Sequence, residues 1–272
     1  MKNINAYTGN AIDFYKNLIS ESLNKGETKN NLLAIEADVL GTYTDYKHKF
    51  DNDDLYSLNP HGFDGENKTN LLKLYSSQRN AFISLKITLT TNEFNQRINT
   101  CPNCTIDNVA SLDHFIPKDE FPEFSVNPIN LVPCCSICNS KKKQKWKDER
   151  SLLFINLYSH IIPKTQYLFV DITSKTEFKF KIENRTGIDS NLFEIIEKHY
   201  SQLGLLERFR ENSDGVISEL DILISSFRRI ISDDKKLFLE INNHYSEIEA
   251  LDGINNWKIV LIKEMINTSI YF

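Results

Sequence analysis

A chain of 272 residues with 40% hydrophobic and 25% charged side chains has the make-up of a folded globular protein holding one sizeable core or two modest ones. Its net charge of −5 is unlike that of a free-standing polynucleotide binder, no apolar run is long enough to span a bilayer, and the polar start MKNINAYTGN is no signal peptide. Of five cysteines, four stand in two CxxC pairs, which argues for a reducing compartment over a disulfide framework and makes the cytoplasm the simplest address.

From the N-terminus, residues 11–24 repeat apolar groups at Ala11, Phe14/Tyr15, Leu18/Ile19 and Leu23, which is helical spacing. Leu32 to about Tyr46 predicts a second helix weakened by Gly41. Residues 51–67, rich in Asp, Asn, Gly and Pro, predict a loop. His61 and the acids around it match no defensible metal motif, so a surface loop is the better reading. A third helix is expected from about Thr69, with Leu71/Leu72, Tyr75, Phe82 and Leu85 on one side. Residues 1–90 are therefore expected to be a helical scaffold.

The densest chemistry lies in residues 91–150. Cys101/Cys104 and Cys135/Cys138 form two CxxC pairs with 30 residues between them. Each pair makes a knuckle presenting two sulfurs, and two knuckles complete a tetrahedral site for Zn²⁺, here read as structural. Four unrelated cysteines or a redox CxxC would be the alternatives, but nothing nearby reads as a thioredoxin-like unit. Cys134 is the odd thiol, since the spacing selects Cys135. Between the pairs, ASLDHFIPK predicts a strand up to His114 and a loop at Pro117. NLVPCCSICNSKKKQ predicts a return strand, a knuckle and a short helix starting near Asn139.

That order, with Asp113-His114 on the first strand, Asn130 before the second and Asn139 at the helix start, resembles the HNH (ββα-metal, His-Me finger) endonucleases in their HNN variant. The resemblance spans about residues 98–147. It implies that His114 is the general base, that Asp113 and Asn139 bind one catalytic Mg²⁺ or Mn²⁺, and that Asn130 braces the loop orienting His114. The side chains suit those roles: a neutral imidazole accepts a proton near pH 7, and a carboxylate with an amide oxygen are hard ligands. Lys141, Lys142, Lys143, Lys145, Lys147 and Arg150 crowd the segment after the site. They read as a phosphate-contacting edge on the helix leaving Asn139, with a plain solvated face as the alternative.

Residues 151–272 continue with an apolar run at 152–162 closed by Pro163, then two strands, 167–172 and 176–182. The second alternates Phe178, Phe180 and Ile182 against Glu177, Lys179 and Lys181, so a hairpin is expected. Helices should follow from Asp189 or Ser190, across a break near Gly204, through Leu206–Phe227, from Ser232-Asp233, and over Trp257–Ile270. His199 is read as structural or exposed. IIEKHYSQLGLLERFR (195–210) resembles the segment after the nuclease motif in HNH proteins of bacterial defence loci, including the nuclease partner of Septu-type systems.

The expected fold is mainly α with a small zinc-stabilised ββα-metal core and one additional β-hairpin. The expected function is a metal-dependent endonuclease acting on double-stranded DNA in anti-phage defence, together with a protein partner, an ATPase being one candidate, or through self-association. Cleavage of RNA or tRNA by the same residues, and a non-enzymatic zinc module that binds DNA or protein, are the competing readings. No membrane association is expected.

Overall fold

In the computed structural model of the chain, which describes all residues except 23–25, 77, 269 and 272, the described residues form eleven α-helices and two small two-stranded antiparallel hairpins. The fold is mainly helical. The chain divides into two compact units, residues 2–161 and, with Met1, residues 162–272. No described helix is long and apolar enough to cross a membrane.

In residues 2–161, α1 (Ala11–Ser22) begins where Asn10 Oδ1 accepts the Ile12 N–H at 2.8 Å, and it buries Tyr15, Leu18 and Ile19. Leu23, the last apolar position expected on it, lies outside the described residues. The helix expected over 32–46 is two, α2 (Glu27–Ala34) and α3 (Glu36–Asp51), separated at Ile35, whose ψ of 5° interrupts the turn without any Gly or Pro. Helix α3 runs through Gly41, which lies on its exposed side, where a Cβ would meet nothing within 4 Å, opposite the buried stripe Val39, Tyr43, Tyr46. The helix expected from Thr69 is also two, α4 (Gly65–Leu74) and α5 (Asn80–Leu89). The chain turns extended at Tyr75, and the Tyr75 hydroxyl donates to Leu112 O at 2.9 Å, a tertiary bond that no local pattern announces.

Within the same unit these helices pack against a hairpin, its loop and a short helix. Strand β1 (Ser111–His114) pairs antiparallel with β2 (Leu131–Cys134), Ser111 opposite Cys134 and His114 opposite Leu131, and β2 runs straight into α6 (Ser136–Lys142). The connecting loop is almost wholly buried: Phe115, Ile116, Phe121, Phe124, Val126 and Ile129 all face inward. Phe124 meets Tyr46 edge-on with ring centroids 4.8 Å apart, and Phe121 meets Trp146 at 5.4 Å. The apolar run 152–162 forms turns that bury Leu152, Phe154, Ile155 and Leu157.

In residues 162–272 the expected hairpin is β3 (Leu168–Ile172) with β4 (Phe178–Ile182), Val170 opposite Phe180. Asp189 Oδ1 caps α7 (Ser190–Leu203) by accepting the N–H groups of Asn191 and Leu192. Gly204, in the left-handed region at φ 61°, ends it and leads into α8 (Leu205–Glu211). The long helix expected over Leu206–Phe227 is interrupted at 212–213 before α9 (Asp214–Arg228), and Asp233 caps α10 (Asp234–Asp252). On the last helix, α11 (Trp257–Asn267), Trp257 stacks on Phe209 at 5.3 Å and meets Phe180 edge-on, which joins hairpin and helices around one core. His199 is fully buried there.

Candidate metal centre and active site

Two sulfur knuckles close on each other at one end of the β1–β2 hairpin. All four are buried, and the Sγ atoms of Cys101, Cys104, Cys135 and Cys138 lie within 4.8 Å of one another. Local backbone dictates this. Thr105, at φ 54°, turns the first knuckle so that Ile106 N–H points at Cys104 Sγ (3.4 Å), and Cys135 caps α6, its Sγ accepting Cys138 N–H at 3.4 Å.

Cys104 and Cys135 Sγ stand 3.8 Å apart. Ligands at about 2.3 Å from a tetrahedral ion are separated by about 3.8 Å, so the set has the spacing and softness to hold zinc. Four buried sulfurs this close cannot all be thiolates unless a positive charge sits among them. A shared cation supplies that charge, and every sulfur can then be a thiolate. Cys134 is buried on β2 but stands outside this group, with Asn103 Nδ2 3.6 Å from its sulfur. Among the described residues no other cluster of three or more metal-binding side chains occurs, and His61 belongs to none.

Beside this centre, Asp113, His114 and Asn139 line a single cleft of about 370 Å³, with Tyr75, Lys118 and Lys143 among its other walls. His114 is buried, and its Nε2 lies 2.8 Å from Ser125 O. A carbonyl only accepts, so Nε2 carries the hydrogen and Nδ1 keeps the free lone pair. Burial, opposed by the Ser125 contact and reinforced by Lys118 and Lys142, lowers the imidazole pKa to about 3, so the ring is neutral at pH 7. The Tyr75 ring stands edge-on to it at 4.6 Å.

Asp113 is buried, which raises its carboxyl pKa. Lys142 opposes that shift, its Nζ 3.5 Å from Asp113 Oδ2 and donating to His114 O at 2.6 Å. Asn139 lies four residues into α6, later than the expected helix start, and its Nδ2 donates to Ser111 Oγ at 3.0 Å. That bond leaves Oδ1 with no hydrogen-bond partner among the described residues, so the cleft offers one carboxylate and one amide oxygen to a hard cation.

Asn130 does not reach the cleft. Fully buried, it sits behind the loop and fastens it: Oδ1 accepts from Ile116 N (2.7 Å) and Tyr46 OH (3.2 Å), and Nδ2 donates to Ile116 O (3.0 Å) and Phe124 O (3.2 Å). Ser125, whose carbonyl holds His114, is the residue after Phe124, and its hydroxyl donates to Leu71 O.

The lysine edge needs a correction. Lys141, Lys143 and Lys145 are exposed, but Lys142 is buried and turned inward, because it stands one helical turn after Cys138 on the buried face of α6. The helix also ends at Lys142, and Lys143 (φ 51°) turns the chain, so Lys143 and Lys145 lie beyond it. Lys147 donates to Tyr56 O. Tyr75, Lys118, Ser125 and the inward role of Lys142 were not foreseen. Only Lys118 carried a signal, as a cation four residues after His114.

No family model matches the chain, and no solved structure matches it. The chain is similar to protein ea31 of Escherichia phage lambda, 27% identical over 186 residues covering 63% of each. It is also similar to the Septu protein PtuB of Bacillus thuringiensis, 27% identical over 181 residues, or 60% of this chain and 66% of that one. The chain thus spans less than two thirds of the length of either relative.

Proposed function

We propose that the chain is a metal-dependent endonuclease of the HNH type, with β1, the loop, β2 and α6 as its ββα-metal core and a structural zinc on Cys101, Cys104, Cys135 and Cys138. The observation that carries this reading is the state of His114: a neutral imidazole, its Nε2–H fixed to Ser125 O, in a cleft shared with Asp113 and Asn139. A neutral ring held by one nitrogen presents the other as a base.

His114 Nδ1 takes the proton of the attacking water. Asp113 and Asn139 would hold the Mg²⁺ or Mn²⁺, which would supply positive charge against that developing on the phosphate and the leaving oxygen. Lys142 counters the rise that burial imposes on the Asp113 carboxyl pKa, and Asn130 keeps the loop, and through it the Ser125 carbonyl, in place. Exposed Lys141, Lys143 and Lys145 contact flanking phosphates. Double-stranded DNA is the proposed substrate, with one strand cut per visit because one chain carries one such cleft.

The similarity to a Septu protein supports a place in anti-phage defence beside a protein partner, in the cytoplasm. The test is plasmid nicking with Mg²⁺ or Mn²⁺, run beside a structured RNA. Wild-type protein nicks and His114→Ala, folded and zinc-loaded, does not. Full activity in His114→Ala refutes the mechanism, and cleavage of the RNA alone moves the substrate to RNA.

A further inference from the structure

Two cations on the wall of the cleft, Lys118 and Lys143, form no ion pair with a carboxylate among the described residues, whereas Lys142 is engaged with Asp113. Lys118 is the more constrained of the two. Its ammonium stands 4.9 Å over the face of Tyr75. The Tyr75 ring is itself immobilised by its bond to Leu112 O and by edge-on contact with Phe82 at 4.9 Å and His114 at 4.6 Å. The backbone beneath Lys118 is equally tied: Phe121 N donates to Pro117 O and Lys68 Nζ donates to Asp119 O.

A half-buried lysine held at a cleft wall with no counter-ion is arranged to receive one. A ring face attracts an ammonium less strongly than a charged phosphate oxygen does, so the tyrosine parks the cation without neutralising it. We propose that Lys118 binds the phosphodiester being cut, beside His114, and that Tyr75 is a positioning residue holding both the Lys118 ammonium and the His114 ring. This deepens the nuclease reading of the same cleft and rests on it for the word "cut", while the anion site itself rests on the geometry of Lys118.

The experiment therefore measures binding first, in a His114→Ala parent that cuts nothing. Fluorescence anisotropy with a short labelled DNA duplex, between about 50 and 200 mM salt, gives the salt slope of affinity. Adding Lys118→Gln lowers the slope by about 0.9, so its deficit shrinks about 3.5-fold across that range, as expected for one lost phosphate contact. Lys118→Arg restores binding. Tyr75→Leu, which removes the ring face under the ammonium, behaves like Lys118→Gln, with zinc content checking that each variant is folded.

In the His114 protein, Lys118→Gln is expected to raise KM and lower kcat, a combination that loss of a distant tether would not give with zinc and fold intact. A Lys118→Gln protein indistinguishable from an exposed-lysine control, Lys179→Gln, overturns the proposal, as does a parent with no measurable affinity at about 50 mM salt. If no nucleic acid is cut by wild type yet the Lys118 effect on binding persists, the nuclease reading falls and the phosphate site stands.

Discussion

Asn130 offers the sharpest test of how the cleft is held. Replacing it by Ala deletes four side-chain hydrogen bonds at once, to Ile116 N, Ile116 O, Phe124 O and Tyr46 OH, at a fully buried position. The three backbone groups belong to residues that are themselves buried, so water cannot replace the amide. Each abandoned buried group costs about 1–3 kcal/mol, and allowing for relaxation the loss should be about 3–5 kcal/mol. The two tryptophans make this measurable. Trp146 lies in residues 2–161 and Trp257 in residues 162–272, both buried. In a Trp257→Phe background, Trp146 fluorescence reports urea unfolding of the unit that carries the cleft. A loss below about 1 kcal/mol, the worth of a single ordinary hydrogen bond, would refute the view that Asn130 is the fastener of the loop.

Other outcomes follow from the same geometry. The protein should carry about one zinc per chain by elemental analysis, and Cys101→Ser or Cys138→Ser should be insoluble or unfolded, whereas Cys134→Ser should keep its zinc; soluble, folded, zinc-free Cys101→Ser would remove the structural role. Asp113→Ala and Asn139→Ala should lose cleavage through metal affinity, so raising Mn²⁺ should partly restore it, and a defect equal at all metal concentrations would contradict that assignment. If phosphate is met by Lys141, Lys143, Lys145 and Lys118 as proposed, so few contacts should leave the purified chain binding DNA weakly at about 150 mM salt. Tight binding by an unaided monomer would count against dependence on a partner or a second copy.

The CxxC pairs and the strand–loop–strand–helix order were legible because metal geometry fixes their spacing locally. The hairpin at 168–182 was legible because a period of two admits one register. Helix division was not: Ile35 and Tyr75 carry no breaker, and at Tyr75 the chain leaves the helix where its hydroxyl bonds a residue 37 positions away. The inward turn of Lys142 was hidden for a related reason. A lysine among lysines reads as solvated, and only the burial of Cys138 one turn earlier shows which face of α6 it occupies. Tyr75 and Lys118 had meaning only as a pair, which the linear chain separates by 43 residues.

The bonds that cross from the N-terminal helices into the loop have a bearing on how portable this segment is. Tyr46 on α3, Leu71 on α4 and Tyr75 after it reach Asn130, Ser125 and Leu112, and His61 N donates to the buried carboxylate of Glu123. A cassette cut at residue 91 would strip all four links and uncover Phe124, which loses the rings of Tyr43 and Tyr46. Grafted onto another scaffold, residues 91–150 would carry the sulfur knuckles intact but leave the His114 ring without its aromatic neighbour. Their host must supply a helix end with a tyrosine at the place of Tyr75, so this segment exchanges between proteins only together with the helices that precede it.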